Sequence, residues 1–414
     1  MAIKLTHYEE EMLDGKYGYP IQMGMQIQVQ MGEIYGAEKM IPVSSVHMVN
    51  ASAVMSGEAV IKLVEKMVAH GGKFKTLTTL NPAALDYECW QEMGFSQEIY
   101  AAQIRLTNAY KALGAIPSHS CTPYLFGFSP KFGEHVAWGE SSAVNYVNSI
   151  LGARTNREGG PAALAAALTG LVPAYGYHLD QNRKGNYLVH IGIELKEVAD
   201  YGALGYYVGQ IVGGGIPVFT GIPRDVPAYK LKMLAGALAS SGSVALFHVE
   251  GVTPEALTLD DVFNGQKPVQ VIEYGQKEQE EAVRCLNKNQ KEEIKVIVIG
   301  CPHADIIEIK EVVDQIQGKR IKDGVELWIE TSLPIKELAR RCGFTDIIQA
   351  AGARVVVDTC PVHCFEQEFT KRKGFTALAT NSAKLAHYVP GMWSVPTYFG
   401  SLEQCIHAAM TGKF

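Results

Sequence analysis

The sequence predicts an α/β protein of several domains, built on mostly parallel sheets flanked by helices. Three observations carry that prediction. Short apolar runs alternate with stretches of helical spacing, most clearly beyond residue 292. At 414 residues the chain exceeds what one compact core usually serves. Its 47% hydrophobic and 19% charged residues are the composition of an ordered globular protein.

In chain order, residues 9–36 carry partly helical spacing and 40–49 read as a strand. Residues 52–70 form a helix stopped by Gly71-Gly72, followed by a strand over 73–80. This is a β-α-β rhythm. Helices follow at 97–113 and 141–151, separated by the run that leads into Cys121, and residues 152–161 form a polar, glycine-containing loop. A strand over 187–195, helices over 199–212 and 226–240 and a strand over 243–250 come next. Gly213-Gly214-Gly215 follows a helix rather than a strand, which is the wrong order for a dinucleotide fingerprint, and acts as a helix stop. Residues 264–289, with the charged run 277–281, suit an inter-domain connection between an N-terminal region (1–275, itself two subdomains) and a C-terminal domain (290–414). In the latter, strands at 295–300, 326–330, 354–358, 377–379 and 395–399 alternate with helices at 306–316, 335–342 and 402–410. Such alternation implies a parallel sheet, whose working residues gather beyond the carboxyl ends of the strands.

Three of the eight cysteines sit where an apolar run ends: Cys121, Cys301 and Cys360, each followed within two residues by proline. Proline cannot continue a helix and holds the residue before it extended. Three thiolates delivered to one point suit a metal centre with an open coordination position, either an iron–sulfur cluster or a zinc ion. A buried cysteine is as readily a small hydrophobe, and Cys89, Cys285, Cys342 and Cys405, which fall in helical runs, fit that role. The loop Arg154-Thr155-Asn156-Arg157-Glu158 offers two guanidinium groups, which match carboxylate and phosphate bidentately. An ordinary solvated loop has the same composition.

A formal charge of -6 and the absence of a Lys/Arg block give no footprint for nucleic acid. No apolar run approaches membrane-spanning length and the first residues lack a secretory h-region, so a cytoplasmic, reducing setting is expected, with the cysteines as thiols or metal ligands.

Together these residues resemble the large subunit of the aconitase X family, a branch of the aconitase superfamily. The resemblance rests on Glu33-Ile34-Tyr35-Gly36-Ala37, Thr79-Leu80-Asn81-Pro82, Cys121-Thr122-Pro123-Tyr124, residues 138–144, residues 152–161, His178-Leu179-Asp180, residues 248–255, Gly300-Cys301-Pro302-His303 and Asp358-Thr359-Cys360-Pro361. It implies an aconitase-like multidomain architecture and a hydro-lyase that dehydrates a small β-hydroxy acid. The two described substrates are cis-3-hydroxy-L-proline, which is slightly favoured here, and mevalonate 5-phosphate. The resemblance also implies an iron–sulfur cluster on Cys121, Cys301 and Cys360. A 4Fe–4S cluster is favoured, with 2Fe–2S or mononuclear iron as alternatives. Cys364 lies outside that pattern. Aconitase-type enzymes carry a swivelling domain with a base serine. This chain ends at Phe414, past its last helix, so the resemblance implies a separate small subunit as partner.

Dehydration needs a base, an electrophile and a carboxylate anchor. The expected anchors are Arg154 and Arg157, with hydrogen bonds from Thr155, Asn156, Ser142 and Asn81. Glu140 and Glu158 are candidates to accept a ring amine, and Lys131 and Lys384 are weaker candidates as cations. Ser44, Ser45 and His47, towards the end of the 40–49 strand, are candidates to orient substrate or protonate the leaving hydroxyl. A rival reading is a non-catalytic, iron-sensing RNA-binding relative, which the acidic balance opposes.

Overall fold

In a computed structural model, residues 3–287, 293–364 and 367–414 are described. The strands are β1 (Met40–Pro42), β2 (Ser45–Met48), β3 (Leu77–Leu80), β4 (Ala137–Trp138), β5 (Leu171–Pro173), β6 (Tyr187–Ile191), β7 (Pro217–Thr220), β8 (His248–Val249), β9 (Gln270–Tyr274), β10 (Val296–Ala304), β11 (Glu326–Thr331), β12 (Arg354–Val356), β13 (Leu378–Thr380) and β14 (Thr397–Phe399). Three parallel sheets have the orders β3-β2-β4, β8-β7-β6-β9 and β12-β11-β10-β13-β14, and β1 with β5 forms an antiparallel pair. The mostly parallel α/β architecture is thus as the sequence predicts.

The five-stranded sheet shows why its strands read as continuous apolar runs. Both faces are covered. Ile297, Ile299, Leu327 and Ile329 pack into one apolar cluster with the helices Ile306–Ile316 and Leu402–Thr411. Val296, Val298, Trp328 and Val356 point the other way, into a cluster that also holds Leu85, Met93 and Phe95. Those three residues come from the segment after β3. The N-terminal part of the chain therefore packs directly on one face of the C-terminal sheet.

Several elements differ from the sequence reading. The strand expected over 40–49 is broken between β1 and β2, which leaves Ser44 exposed. Residues 264–289 do not make a simple connection: β9 is an outer strand of the second sheet, and Gln276–Leu286 is a helix with Ala282 and Leu286 buried. Within the charged run 277–281, Lys277, Glu280 and Glu281 are exposed, while Gln279 donates to Asp200. The helix over 52–70 appears as Ala53–Ala69, with Gly57 at φ 68° breaking its first turn.

Candidate active site

The three cysteines reach one cavity by three different local devices. Cys121 follows a segment held against β3 by the amide of Ser120, which donates to Leu80 O. Cys301 sits where β10 leaves its ladder with β11, the register shifting between Ile299 and Ala304. Gly300 makes that departure possible: its φ is +104°, and a Cβ there would meet Glu330 O at 2.1 Å. Cys360 precedes the short helix Pro361–Cys364, after a turn in which Asp358 adopts φ +63° and accepts the Ala83 amide through its carbonyl.

All three cysteines line a cavity of about 220 Å³, together with Asn81, Glu140, His303, His363, Lys384 and Tyr388. None of the eight cysteines is in a disulfide. Burial pushes the Cys121 thiol up to about 12 and the Cys301 thiol up to about 11, with Lys384 opposing in both cases. Burial also raises Cys360, and the nearby Cys301 and Cys121 add to the shift. Cys364 stands apart: its S–H donates to Cys360 O and its sulfur lies 3.3 Å from Thr359 Oγ1, within the apolar cluster. Three cysteines, not four, therefore line the cavity.

Opposite the thiols lies a buried ion pair. Lys384, near the start of the helix Ala383–Trp393, donates to Glu140 Oε1 at 2.5 Å and to Ser142 Oγ at 3.0 Å. Glu140 caps the helix Ser141–Ser149 by accepting the Ala143 amide and the Ser142 hydroxyl through Oε2. Burial alone would raise the Glu140 carboxyl, but the Lys384 charge and these hydrogen bonds bring it down to about 2. The same pairing outweighs burial at Lys384 and keeps it protonated. His303 is fixed from both sides, its Nδ1 3.0 Å from Ser120 Oγ and its Nε2 2.7 Å from Thr359 O, while its amide donates to Cys121 Sγ. Asn81 Oδ1 and His363 Nδ1 are buried without protein partners.

The polar loop is not where the sequence reading needs it. It runs beside β4, with Arg154 bridging His135 at the amino-terminal edge of the sheet and the Glu158 amide donating to Trp138 O near the cavity. Arg154 pairs with Asp180 and lines a different cavity. Arg157 donates to Ser243 O and Val244 O, and is exposed. Thr155 Oγ1 accepts the Trp138 amide and donates to Asn156 O. Asn156 spans Tyr175 O and the Tyr177 amide. These four residues hold backbone segments together or face elsewhere, and none lines the thiol cavity.

Ser44 and Ser45 also lie at the amino-terminal end of β2, opposite the cavity. Ser44 donates to His135 O, and Ser45 accepts from Trp138 Nε1. His47 lies closer, buried between Thr79 and Trp138, and burial lowers it to about 4 against the opposing Glu140 charge. Glu158 is buried with Oε1 unpartnered, and burial raises it to about 7. Lys131 is exposed and outside the cavity. Lys384, a weaker candidate by local pattern, gains its place through Glu140, 244 residues away. His303 and His363 each lie two or three residues beyond a cavity cysteine, and that spacing is the one local signal of their place.

Parallel α/β domains that bring thiols to one cavity across a domain seam define an aconitase-like class of protein, a class that generally binds an iron–sulfur cluster. Family models for the aconitase X first, second and third domains match residues 2–181, 185–284 and 294–411. The chain belongs to the aconitase X family. It is 44% identical over 392 residues to the phosphomevalonate dehydratase large subunit of Methanothermobacter thermautotrophicus, covering 94% of each chain. It is 35% identical to the cis-3-hydroxy-L-proline dehydratase of Hypocrea jecorina, covering 100% of this chain and 70% of that protein. The crystal structure of Thermococcus kodakaraensis aconitase X in its holo-form superposes with a TM-score of 0.89 at 36% identity, covering 98% of this chain and 100% of that one. The name "large subunit" among these relatives implies a small-subunit partner. Among the described residues, no helix is long and apolar enough to cross a membrane.

Proposed function

We propose that this chain is the large subunit of a hydro-lyase that dehydrates a small β-hydroxy acid in the reducing cytoplasm. The observation that carries this reading is one buried cavity holding three unbridged thiols opposite a Lys–Glu ion pair. The residues suit an iron–sulfur cluster on Cys121, Cys301 and Cys360. Three buried thiols with raised pKa values are poor isolated groups but good ligands once a metal takes the proton's place. The preference for a cluster over zinc or mononuclear iron follows the family resemblance, to a class that generally binds an iron–sulfur cluster. A 4Fe–4S cluster held by these three cysteines would supply a Lewis acid for the substrate's hydroxyl.

The protein's own groups supply the rest. Lys384 binds the substrate carboxylate, and Glu140 beside it accepts a ring ammonium. Ser142 holds both in register. The unpartnered Asn81 Oδ1 accepts a substrate N–H or O–H. His47, which burial keeps neutral, stands beside Glu140 as a positioning residue. The base that removes the proton next to the carboxylate is assigned to a serine on the swivelling domain of the small subunit. Lys384 is the single Lys or Arg lining the cavity among the described residues. One cation and one carboxylate complement an imino acid, so cis-3-hydroxy-L-proline is the preferred substrate.

A second reading, mevalonate 5-phosphate, is favoured by the higher identity to large subunits of matching length. It requires the partner to supply the cation for the phosphate. The test is an anaerobic assay of the iron-reconstituted chain, with and without the small subunit, on both compounds. Dehydration of hydroxyproline only with both subunits present is expected. Turnover of the phosphate ester alone would shift the assignment to the second reading, and turnover of neither would refute the reading as a dehydratase.

A further inference from the structure

A second cavity of about 410 Å³ shares no lining residue with the thiol cavity. It opens where the amino-terminal edge of the β3-β2-β4 sheet meets the end of β8 and the loop after it. Its lip is apolar and exposed: Phe132 is 60% and Leu257 67% accessible. Behind the lip stand Arg154, Lys184 and His248.

Each of these three groups has unused bonding capacity. Arg154 is bonded by its side chain to Asp180 alone, and that carboxylate is 80% exposed, so the pair is readily exchanged. Lys184 donates to one backbone carbonyl, Asp261 O, which leaves two ammonium hydrogens unused. His248 is 1% exposed, and its Nε2 donates to Arg183 O at 2.8 Å. The other ring nitrogen, Nδ1, is then a lone-pair acceptor, and it is buried with no partner. A buried acceptor without a donor costs about 1–3 kcal/mol, so a donor belongs there. Arg183, by contrast, is saturated by Glu255, Asn148 and Tyr177 O, and acts as a rigid wall.

We propose that this cavity is a second ligand site, separate from the thiol cavity, for a small hydroxylated organic anion. The anionic group bridges Arg154 and Lys184 and displaces Asp180, and a hydroxyl of the same molecule donates to His248 Nδ1. The apolar lip covers the carbon skeleton. Carboxylate and phosphate share this chemistry, and the probes distinguish them.

The test is calorimetric titration of the full chain with L-malate and with 2-hydroxypropyl phosphate, each beside its deoxy counterpart, succinate or propyl phosphate. The hydroxylated member of one pair is expected to bind about fivefold more tightly, the margin of one hydrogen bond. The responding pair names the anionic group. His248→Phe should abolish that margin, while Lys184→Glu, at an exposed position, should weaken both members about tenfold or more. Absence of binding by all four compounds, equal binding within both pairs, or affinities unchanged in Lys184→Glu would each overturn the proposal.

Discussion

Replacing Lys384 by methionine keeps most of its stem but removes the charge that Glu140 was folded against. Both side chains are 8% accessible, so water cannot take over the lost role. Glu140 would still accept the Ala143 amide and the Ser142 hydroxyl, yet face the thiols without a cation. Stranding one partner of a buried pair costs about 3–5 kcal/mol, whereas replacing both with apolar groups is often neutral or better. The single variant Lys384→Met should therefore be destabilised by about that amount in urea unfolding, and the double variant Glu140→Leu/Lys384→Met should recover most of it. Activity should behave differently, being lost in both, because the proposed carboxylate anchor is gone in both. This contrast separates a structural pair from a working one. A single variant within about 1 kcal/mol of the parent would refute the energetic argument, and an active double variant would refute the anchor role.

Serine at Cys121, Cys301 or Cys360 should remove iron from anaerobically prepared protein, while Cys364→Ser should keep it, since that sulfur faces Cys360 O and Thr359; iron analysis beside visible absorbance decides. Gly300→Ala should lower both stability and iron content, because the new Cβ would meet Glu330 O at 2.1 Å where φ is +104°. Burial raises Glu158 from 4.5 to about 7, so its contribution to stability is full below about pH 4.5 and is lost as pH rises to about 7. Glu158→Gln should remove that loss, giving a relative gain of up to about 3 kcal/mol at pH 8 that vanishes near pH 4.5; a gap independent of pH in urea titrations would contradict it.

Much of this architecture was legible because its signals are local. Apolar runs that end in Cys-Pro or Cys-Thr-Pro lead three cysteines to one cavity, although Cys121 follows no strand and Cys301 lies within β10. The polar loop misled because its composition says nothing of its partners. Arg157 is committed to Ser243 O and Asn156 to Tyr175 O, contacts made only by the folded chain. Ser44 and Ser45 misled for a geometric reason: a break in the strand places them at its beginning, and the cavity is at its end. Lys384 shows the converse, an unremarkable lysine in the sequence that becomes a buried partner through Glu140, 244 residues earlier.

The thiol cavity is sewn from distant stretches of chain, with Cys121 on one side of the seam and Cys301, Cys360 and Lys384 on the other. During synthesis, Cys121 leaves the ribosome long before its companions exist. At roughly 5–20 residues per second, the intervening stretch occupies on the order of ten seconds or more. Through that interval the first thiol has no site to belong to, and no three-thiol socket can be offered to iron until the last helices have emerged and docked. If the cluster proposed above occupies the cavity, loading it is a task for a finished chain, and starving cells of iron during growth and then restoring it after translation is blocked should still fill the pool already made.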